Sequence, residues 1–184
     1  MTNLKKWNTL QSNLVFDHKW YKVRQDVVQL PNGKIVDDYF VSVRPDIALV
    51  FPVTSDRNII FVRQYRHGAN EILLELPAGA FNPNIEDAEI AAKRELEEET
   101  GYSAHHLTKL GVLYDNPVKE TNKIHLFLAQ NLDHPGQQVL DETEEIELVF
   151  IPVSDVLSHI AQGQICVSGS VAAVFLGLQF LGQI

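Results

Sequence analysis

The sequence predicts an α/β protein, and three observations support this. Apolar, strand-like segments recur along most of the chain and are separated by short polar turns. Residues 85–100 read as a helix that Gly101 ends, and a further helix is expected to begin near Ser168. No internal repeat or long linker interrupts this order. Strands mixed with helices are typical of a sheet that has helices packed on it.

Each strand-like segment is bounded by turn-forming residues. The segments cover residues 20–30, 34–43, 47–53, 59–64, 72–76, 108–114, 124–129 and 145–151. The first two flank Pro31-Asn32-Gly33, which predicts a hairpin. The next two flank the polar turn 54–58 and are expected to pair with each other. Residues 155–161 follow the last strand as a predicted short helix.

The helix of residues 85–100 concentrates carboxylates at its unfavourable end. Asn84 is its expected N-cap. The last turn carries four glutamates, Glu95, Glu97, Glu98 and Glu99. The last carbonyl groups of a helix already concentrate negative charge, and glutamates three or four residues apart repel each other. A bound Mg²⁺ or Mn²⁺ ion would remove the conflict, because hard cations need clustered oxygen ligands. The alternative is a solvated acidic surface.

These residues resemble the Nudix hydrolase motif, which is Gly, five residues, Glu, seven residues, then Arg-Glu-aliphatic-any-Glu-Glu-any-Gly-aliphatic. Here Glu86 and seven residues precede Arg94-Glu95-Leu96-Glu97-Glu98-Glu99-Thr100-Gly101, and the aromatic Tyr102 takes the last position. Six residues rather than five separate Gly79 from Glu86. We interpret the difference as a one-residue insertion in the loop around Asn82-Pro83-Asn84.

Three further features resemble the ADP-ribose or ADP-sugar pyrophosphatase branch of that family. They are Arg63-Gln64-Tyr65-Arg66, Glu75-Leu76-Pro77-Ala78-Gly79, and Pro117 sixteen residues after Gly101. The resemblance implies a Nudix fold in which a mixed sheet is sandwiched between helices. It places an extra N-terminal β-hairpin or small sheet in residues 1–45 and the hydrolase domain in residues 46–184.

The resemblance also implies roles for residues of the motif. The backbone carbonyl of Ala78 and the carboxylates of Glu95, Glu98 and Glu99 would hold Mg²⁺, or Mn²⁺, across a diphosphate. Arg94 would orient one of these carboxylates and keep it ionised. Glu86 would support the start of the helix or contact the groups that hold the metal.

The acidic loop from Asp141 to Ile146 offers a general base for the attacking water. Aligned with the family, Glu144 takes that position, and Glu142 is the second choice. The alternative for this loop is a solubilising acidic turn.

Substrate recognition is expected to use arginines and aromatic rings. Arg44 and Arg66 match arginines that contact phosphate or the terminal ribose in the resembled branch. A planar guanidinium pairs well with phosphate. Trp20 and Tyr39 match aromatic residues that stack on adenine, one of them from a partner subunit. Pro117 matches a proline associated with ADP-ribose, although Val118-Lys119 follows it where a glycine is usual. The alternatives are a hairpin core residue for Trp20, surface charges for both arginines and a loop proline for Pro117.

Composition narrows the classes of function. The formal net charge of −9 argues against nucleic-acid binding and requires cations at any site for an anionic substrate. A lone cysteine, Cys166, and a start without an apolar signal core predict a cytoplasmic protein. Residues 171–181 are too short to span a membrane. Six of the seven histidines have no metal-ligand spacing and are expected to be structural or exposed: His67, His105, His106, His125, His134 and His159.

The expected activity is metal-dependent hydrolysis of ADP-ribose or an ADP-sugar to AMP and a sugar phosphate, by a homodimer. Other substrates remain open, namely GDP- or UDP-sugars, NADH and dinucleoside polyphosphates. A Nudix module that senses a nucleotide without cleaving it is the alternative from a different class. The complete carboxylate cluster favours the enzyme, because a sensor does not need it.

Overall fold

The computed structural model describes residues 4–133 and 136–184, and these form two compact units. The first, the N-terminal unit, is Met1–Pro45 with Tyr114–Asn122, and the second, the larger unit, is Asp46–Leu113 with Lys123–Ile184. In chain order the elements are β1 Asn8–His18, β2 Tyr21–Gln29, β3 Ile35–Val43, β4 Asp46–Pro52, β5 Asn58–Arg66, β6 Glu71–Glu75, β7 Ala78–Phe81, α1 Ala88–Thr100, β8 Leu107–Tyr114, β9 Lys123–Ala129, β10 Glu147–Pro152, α2 Val156–Ala161 and α3 Ser168–Phe180.

The N-terminal unit contains an antiparallel sheet in the order β1-β2-β3. The predicted hairpin is present as β2 and β3, and Gly33 takes a positive φ of 87° in its turn. Strand β1 was not predicted. All eleven of its residues are exposed, so its sequence lacks the regular apolar alternation by which a half-buried strand is recognised.

The larger unit contains two sheets. A four-stranded mixed sheet has the order β7-β4-β9-β8, in which β4 runs parallel to β9 and antiparallel to β7. A three-stranded antiparallel sheet has the order β10-β5-β6. Strand β7 was not predicted, since its sequence Ala-Gly-Ala-Phe has little strand character of its own.

The expected pairing of residues 47–53 with 59–64 is wrong. Strands β4 and β5 belong to different sheets, and their neighbourhood retains one bridge, between Val53 and Ile59. Residues 48–53 are all buried, and both edges of β4 are already paired with β7 and β9. A strand in this central position has no edge left for the strand that follows it in sequence.

Helices cover both faces of the mixed sheet, as predicted. Alternate residues of β4 point to opposite faces. Leu49 and Phe51 belong to an apolar cluster that includes residues of α3, whereas Ala48 and Val50 belong to one that includes α1. The sheet therefore lies between α1 and α3, and α1 buries Ala91, Ala92 and Leu96 against it.

The helix α1 begins later than predicted, and its N-cap is Asp87 instead of Asn84. Asp87 has extended backbone angles, and its carboxylate accepts a hydrogen bond of 2.8 Å from the Glu89 N–H. Residues 82–86 form a separate turn, in which the Ile85 and Glu86 N–H groups donate to the Asn82 carbonyl. The predicted end at Gly101 is confirmed, with φ of 72°. The extra loop residue thus lies between β7 and α1.

Two further properties follow from the described residues. Cys166 is a free, exposed thiol. Among the helices of residues 4–133 and 136–184, none is long and apolar enough to cross a membrane.

The position of the N-cap can be tested by substitution. We expect Asp87→Ala to lower the free energy of unfolding by about 1 kcal/mol, because an orphan helical N–H loses its acceptor. Asn84→Ala is the matched control and should change it by no more than a few tenths of a kcal/mol. Urea unfolding of both variants gives the comparison, and a larger loss in Asn84→Ala would contradict the assigned cap.

Candidate active site

The candidate site is built around the C-terminal half of α1. Here Arg94 contacts three carboxylates at once. Its Nε and Nη2 atoms lie 3.1 and 3.2 Å from the two carboxylate oxygens of Glu86. Its Nη1 atom donates to Glu95 at 2.6 Å and to Glu98 at 2.9 Å. These hydrogen bonds, with Glu86 first among them, raise the pKa of Arg94 above its already high ordinary value. Arg94 is thus the cation that holds this cluster together.

Glu95 is packed against the backbone of β7. A Cβ atom at Gly79 would lie 1.9 Å from the Glu95 carboxyl carbon, so any larger residue at this position would force the Glu95 carboxylate to move. Burial raises the pKa of Glu95, and the charge of Arg94 opposes that rise without cancelling it. Arg94 therefore acts on Glu95 in the expected direction, while the loss of hydration acts more strongly in the opposite one.

Glu99 is the most buried of the motif's glutamates, with 3 % of its surface exposed. Its Oε2 atom accepts a hydrogen bond of 3.1 Å from the backbone N–H of Ala78, the first residue of β7. Burial nevertheless raises the pKa of Glu99 to about 8, with the charges of Glu95 and Glu144 adding to the effect. The Ala78 hydrogen bond and Arg66 oppose this rise.

Arg66 lies at the end of β5, on the side of Glu99. It binds Glu75 of β6 through one carboxylate oxygen at 2.7 Å, and 44 % of its side chain is exposed. Its charge lowers the pKa of Glu99. Arg66 is thus fixed by one acid and keeps a solvent-accessible guanidinium near another.

The acidic loop brings Glu144 into electrostatic range of the helix. Glu144 is exposed, and its charge raises the pKa of both Glu95 and Glu99. Its backbone N–H donates to the Asp141 carbonyl at 2.9 Å, and its carboxylate accepts from the Asp141 N–H at 3.0 Å. Glu142 is exposed in the same turn.

The N-terminal unit brings Tyr39 and Pro117 together. Both line a cavity of about 370 Å³ within that unit. The Tyr39 hydroxyl donates to the Val118 carbonyl at 2.8 Å. Trp7 meets the Tyr39 ring edge-on at 5.8 Å between centroids, and the Lys119 ammonium lies 5.6 Å from the ring centroid.

Trp20 and Arg44 lie elsewhere in the same unit. Trp20 is in the turn between β1 and β2 and is 76 % exposed, with Lys19 over its ring. Tyr39 pairs with Asp26, six residues further along, so the two aromatic side chains are about 20 Å apart along the strands. Arg44 pairs with Glu120 at 3.2 Å and with Asp115 at 3.9 Å.

The carboxylates at the end of α1 fit a divalent cation by their chemistry. Glu95 and Glu99 are buried acids with raised pKa values, which an added positive charge would lower again. As they stand, no three acidic, histidine or cysteine side chains in residues 4–133 and 136–184 are grouped to hold a metal. Arg94 and the Ala78 N–H donate to oxygens of these carboxylates, and the remaining lone pairs of each carboxylate would be available to a metal ion.

Sequence reasoning missed several of these contacts. Examples are the packing of Glu95 against Gly79, the anchoring of Arg66 by Glu75, and the position of Trp7 on Tyr39. The first and third involve strands β7 and β1, which were not predicted. The second depends on the pairing of β5 with β6, which was not predicted either. The expected passive role of the histidines fits His125, which hydrogen-bonds to Asp46 at 2.9 Å. His134 lies outside the described residues.

Comparison with known proteins identifies the family. Residues 43–166 match the family described as the NUDIX domain, which is more than half of the chain. The chain belongs to the Nudix family. Residues 7–42 match the family described as the nucleoside diphosphate sugar hydrolase N-terminal domain. Both the predicted Nudix resemblance and the extra N-terminal strands are thereby confirmed.

Relatives cover almost all of this Nudix chain. It is 34 % identical to an ADP-ribose pyrophosphatase of Bacillus subtilis, over 85 % of this chain and 84 % of the relative. It is 32 % identical to a methanol dehydrogenase activator of Bacillus methanolicus, over 97 % of both chains. A crystal structure of an ADP compounds hydrolase superposes with a TM-score of 0.87 at 26 % identity, over 100 % of this chain and 98 % of that one. The protein is a Nudix pyrophosphohydrolase and has the predicted fold.

The buried glutamates predict how stability depends on pH in the absence of metal. Between pH 4.5 and about 8, folded Glu99 keeps its proton while the unfolded chain loses it, so stability should fall as the pH rises. Glu99→Gln has no such proton to lose. We expect the melting temperature of Glu99→Gln in chelator to fall less than that of the wild type across this window. The corresponding difference in the free energy of unfolding is a few kcal/mol at most near pH 8.

The control for this measurement is Glu97→Gln, in the same turn of α1 but exposed. Thermal melts at pH 5, 6.5 and 8 in chelator compare the three proteins. Identical pH profiles for wild type and Glu99→Gln would contradict the raised pKa.

Proposed function

We propose that this protein hydrolyses the diphosphate bond of ADP-ribose or of an ADP-sugar, releasing AMP and a sugar phosphate, with Mg²⁺ as the metal and Mn²⁺ as a substitute. The observation that carries the proposal is the cluster of Glu95, Glu98 and Glu99 at the negative end of α1, with Arg94 joining the first two. The match of residues 7–42 to a nucleoside diphosphate sugar hydrolase domain and the names of the relatives support the substrate class.

Each part of the cluster has a role in this reaction. Glu95, Glu98 and Glu99, with the carbonyl of Ala78, would hold the metal, and Arg94 would keep the side chains of Glu95 and Glu98 in place. When bound, the metal supplies positive charge for the phosphoryl oxygens and for the attacking water. Arg66 has an exposed guanidinium beside Glu99 and is suited to bind a substrate phosphate.

Glu144 would act as the general base. A water oxygen forms a bond to phosphorus, the bond from that phosphorus to the bridging oxygen breaks, and the proton of the water passes to the Glu144 carboxylate. The charge of Glu144 acts on both Glu95 and Glu99, which supports this choice over Glu142.

Recognition of the nucleoside would use the N-terminal unit. Tyr39 and Pro117 line its cavity with Trp7, and the exposed Trp20 offers a second flat surface for a base. Arg44 would contact phosphate or ribose, because 41 % of its side chain remains exposed beside Glu120.

The direct test is incubation of the purified protein with Mg²⁺ and a panel of substrates at equal concentration. The panel contains ADP-ribose, an ADP-sugar, GDP-mannose, a UDP-sugar, NADH and a dinucleoside polyphosphate, and products are separated by chromatography. We expect AMP from ADP-ribose or the ADP-sugar at the highest kcat/KM. Faster cleavage of a guanine or uracil compound would replace the proposed substrate, and binding without any cleavage would indicate a sensor.

Loss of the metal-binding carboxylates should abolish turnover without unfolding the protein. We expect Glu98→Gln and Glu99→Gln to lower kcat by at least about 100-fold, because a neutral amide is a poor ligand for Mg²⁺. The exposed Glu97→Gln in the same turn is the control and should stay within a factor of about two. Near-wild-type turnover of both test variants at saturating Mg²⁺ would contradict the assignment of Glu98 and Glu99 as metal ligands.

The general base should be separable from its neighbour in the loop. We expect Glu144→Gln to lower kcat by about 100-fold or more and to leave KM almost unchanged, and Glu142→Gln to lower it much less. The acidic limb of the pH–rate profile should change in Glu144→Gln. A larger loss in Glu142→Gln would reverse the ranking.

Dimerisation is proposed from the exposed face of the N-terminal sheet. Leu10, Leu14 and Phe16 of β1 are each more than half exposed, and isolated small sheets need a covering surface. Light scattering over a dilution series should show a homodimer, and Leu14→Lys should weaken it.

Trp20→Ala and Tyr39→Ala should raise KM if these rings stack on the base. A fully active monomer at every concentration would rule out a site shared between subunits.

A further inference from the structure

The negative end of α1 is neutralised by hydrogen-bond donors from another part of the chain. The last turn of α1 contains no basic residue. Its final carbonyl groups therefore need N–H donors, since the helix itself supplies none for most of them. The Gly101 N–H provides one, to the Glu97 carbonyl at 2.8 Å.

Residues 136–139, the capping segment, provide donors for two more and for the Gly101 carbonyl that follows the helix. The Val139 N–H donates to the Glu98 carbonyl at 2.9 Å, and the Gly136 N–H donates to the Gly101 carbonyl at 2.7 Å. The Glu99 carbonyl accepts from the side-chain amide of Gln138, at 2.6 Å from Nε2. The backbone carbonyls of two proposed metal-binding glutamates are thus both bound to this segment.

The capping segment has little burial to hold it in place. Gly136, Gln137 and Val139 are exposed, and Gln138 is partly buried. An open cavity of about 710 Å³, lined by residues that include Tyr102 and Phe150, lies along the segment. Hydrogen bonds to the end of α1 attach the segment, and the bond from Gln138 comes from a side chain, so a substitution can remove it.

The same stretch of chain carries Glu144, six residues after Gln138. Between them the chain closes the tight turn from Asp141 to Glu144 through two hydrogen bonds. After Glu144 the chain is fixed again where β10 begins at Glu147. Glu144 thus lies between two attached points of the chain, one at the end of α1 and the other at β10, an edge strand of the β10-β5-β6 sheet.

We propose that Gln138 is a positioning residue for catalysis, which fixes the loop of Glu144 to the helix that carries Glu95, Glu98 and Glu99. The side-chain amide of Gln138 joins the backbone of Glu99 to the loop that carries Glu144. This hydrogen bond fixes the distance between the metal-binding glutamates and the general base. This inference rests on the proposed function, because it needs Glu144 to act on the attacking water.

The inference predicts a loss of rate that depends on Glu144. Gln138→Met keeps the length of the side chain and removes the donor. We expect it to lower kcat by roughly 10- to 100-fold, the usual cost of displacing a catalytic group by about 1 Å. KM and the Mg²⁺ concentration for half-maximal rate should stay within about twofold, since the substitution leaves the groups that bind substrate and metal unchanged.

The decisive measurement is a double-mutant cycle with Glu144→Gln. If Gln138 acts through Glu144, Gln138→Met should lower kcat by less than about threefold in the Glu144→Gln background. Gln138→Lys retains an N–H donor on a long side chain and should recover most of the wild-type kcat. Gln137→Met, next in sequence and along the same cavity, is the matched control and should remain fully active.

Three results would overturn the inference. They are an equal loss of kcat in both backgrounds, a large shift in the Mg²⁺ requirement of Gln138→Met, and the same defect in Gln137→Met. The melting temperature of every variant is measured first, and the assay temperature is chosen well below the lowest of them. A wild-type protein that cleaves no member of the substrate panel contradicts the proposed function instead, and is distinguished from these results before any variant is made.

Discussion

The accumulation of negative charge at the C-terminal end of α1 is the constraint around which this part of the larger unit is arranged. Three glutamates share the last turn with the helix carbonyl groups, Glu95 lies in the turn before it, and the last turn has no basic residue. Arg94, the Ala78 N–H and the capping segment all act on this charge. Gly79 leaves the space in which the Glu95 carboxylate fits. Much of the local sequence is thus explained by one electrostatic problem.

Burial and ion pairing compete at this end of the helix, and burial prevails. The Arg94 guanidinium touches Glu95 at 2.6 Å, yet the pKa of Glu95 is still raised. Buried ion pairs often fail to repay the hydration that both groups lose. A divalent cation, if bound as proposed, would lower the cost of keeping these carboxylates charged and buried. The raised pKa of Glu99 is another sign of this unrelieved charge.

The sequence predicted those features that depend on local chemistry. The acidic helix, its end at Gly101 and the β2–β3 hairpin each follow from residues that are adjacent along the chain. Predictions that depended on partners distant in sequence were less successful. The pairing of β4 with β5 was wrong because β7 and β9 occupy both edges of β4. Asn84 was a reasonable cap by residue type, but Asp87 is the residue whose backbone leads into the helix.

The residues of the candidate site also differ in how far they could be predicted from local sequence. The glutamates and Arg94 were predictable because a fixed spacing connects them along one helix. Gln138 was not, because its partner is a backbone carbonyl 39 residues away, and no side-chain pattern marks a carbonyl acceptor. Trp7 was missed because β1, next to which it lies, lacks a buried face.

The N-terminal unit is assembled from two separate stretches of chain, and this limits how it can be exchanged. Tyr114–Asn122 belongs to it, although β8 and β9 flank that stretch. Arg44 reaches Glu120 across 76 residues of sequence, and Tyr39 reaches Val118 across 79. A chimera that takes only its first 45 residues from a relative would break these contacts. Transfer of this unit between family members requires both stretches together, and natural variation in one should be accompanied by compensating variation in the other.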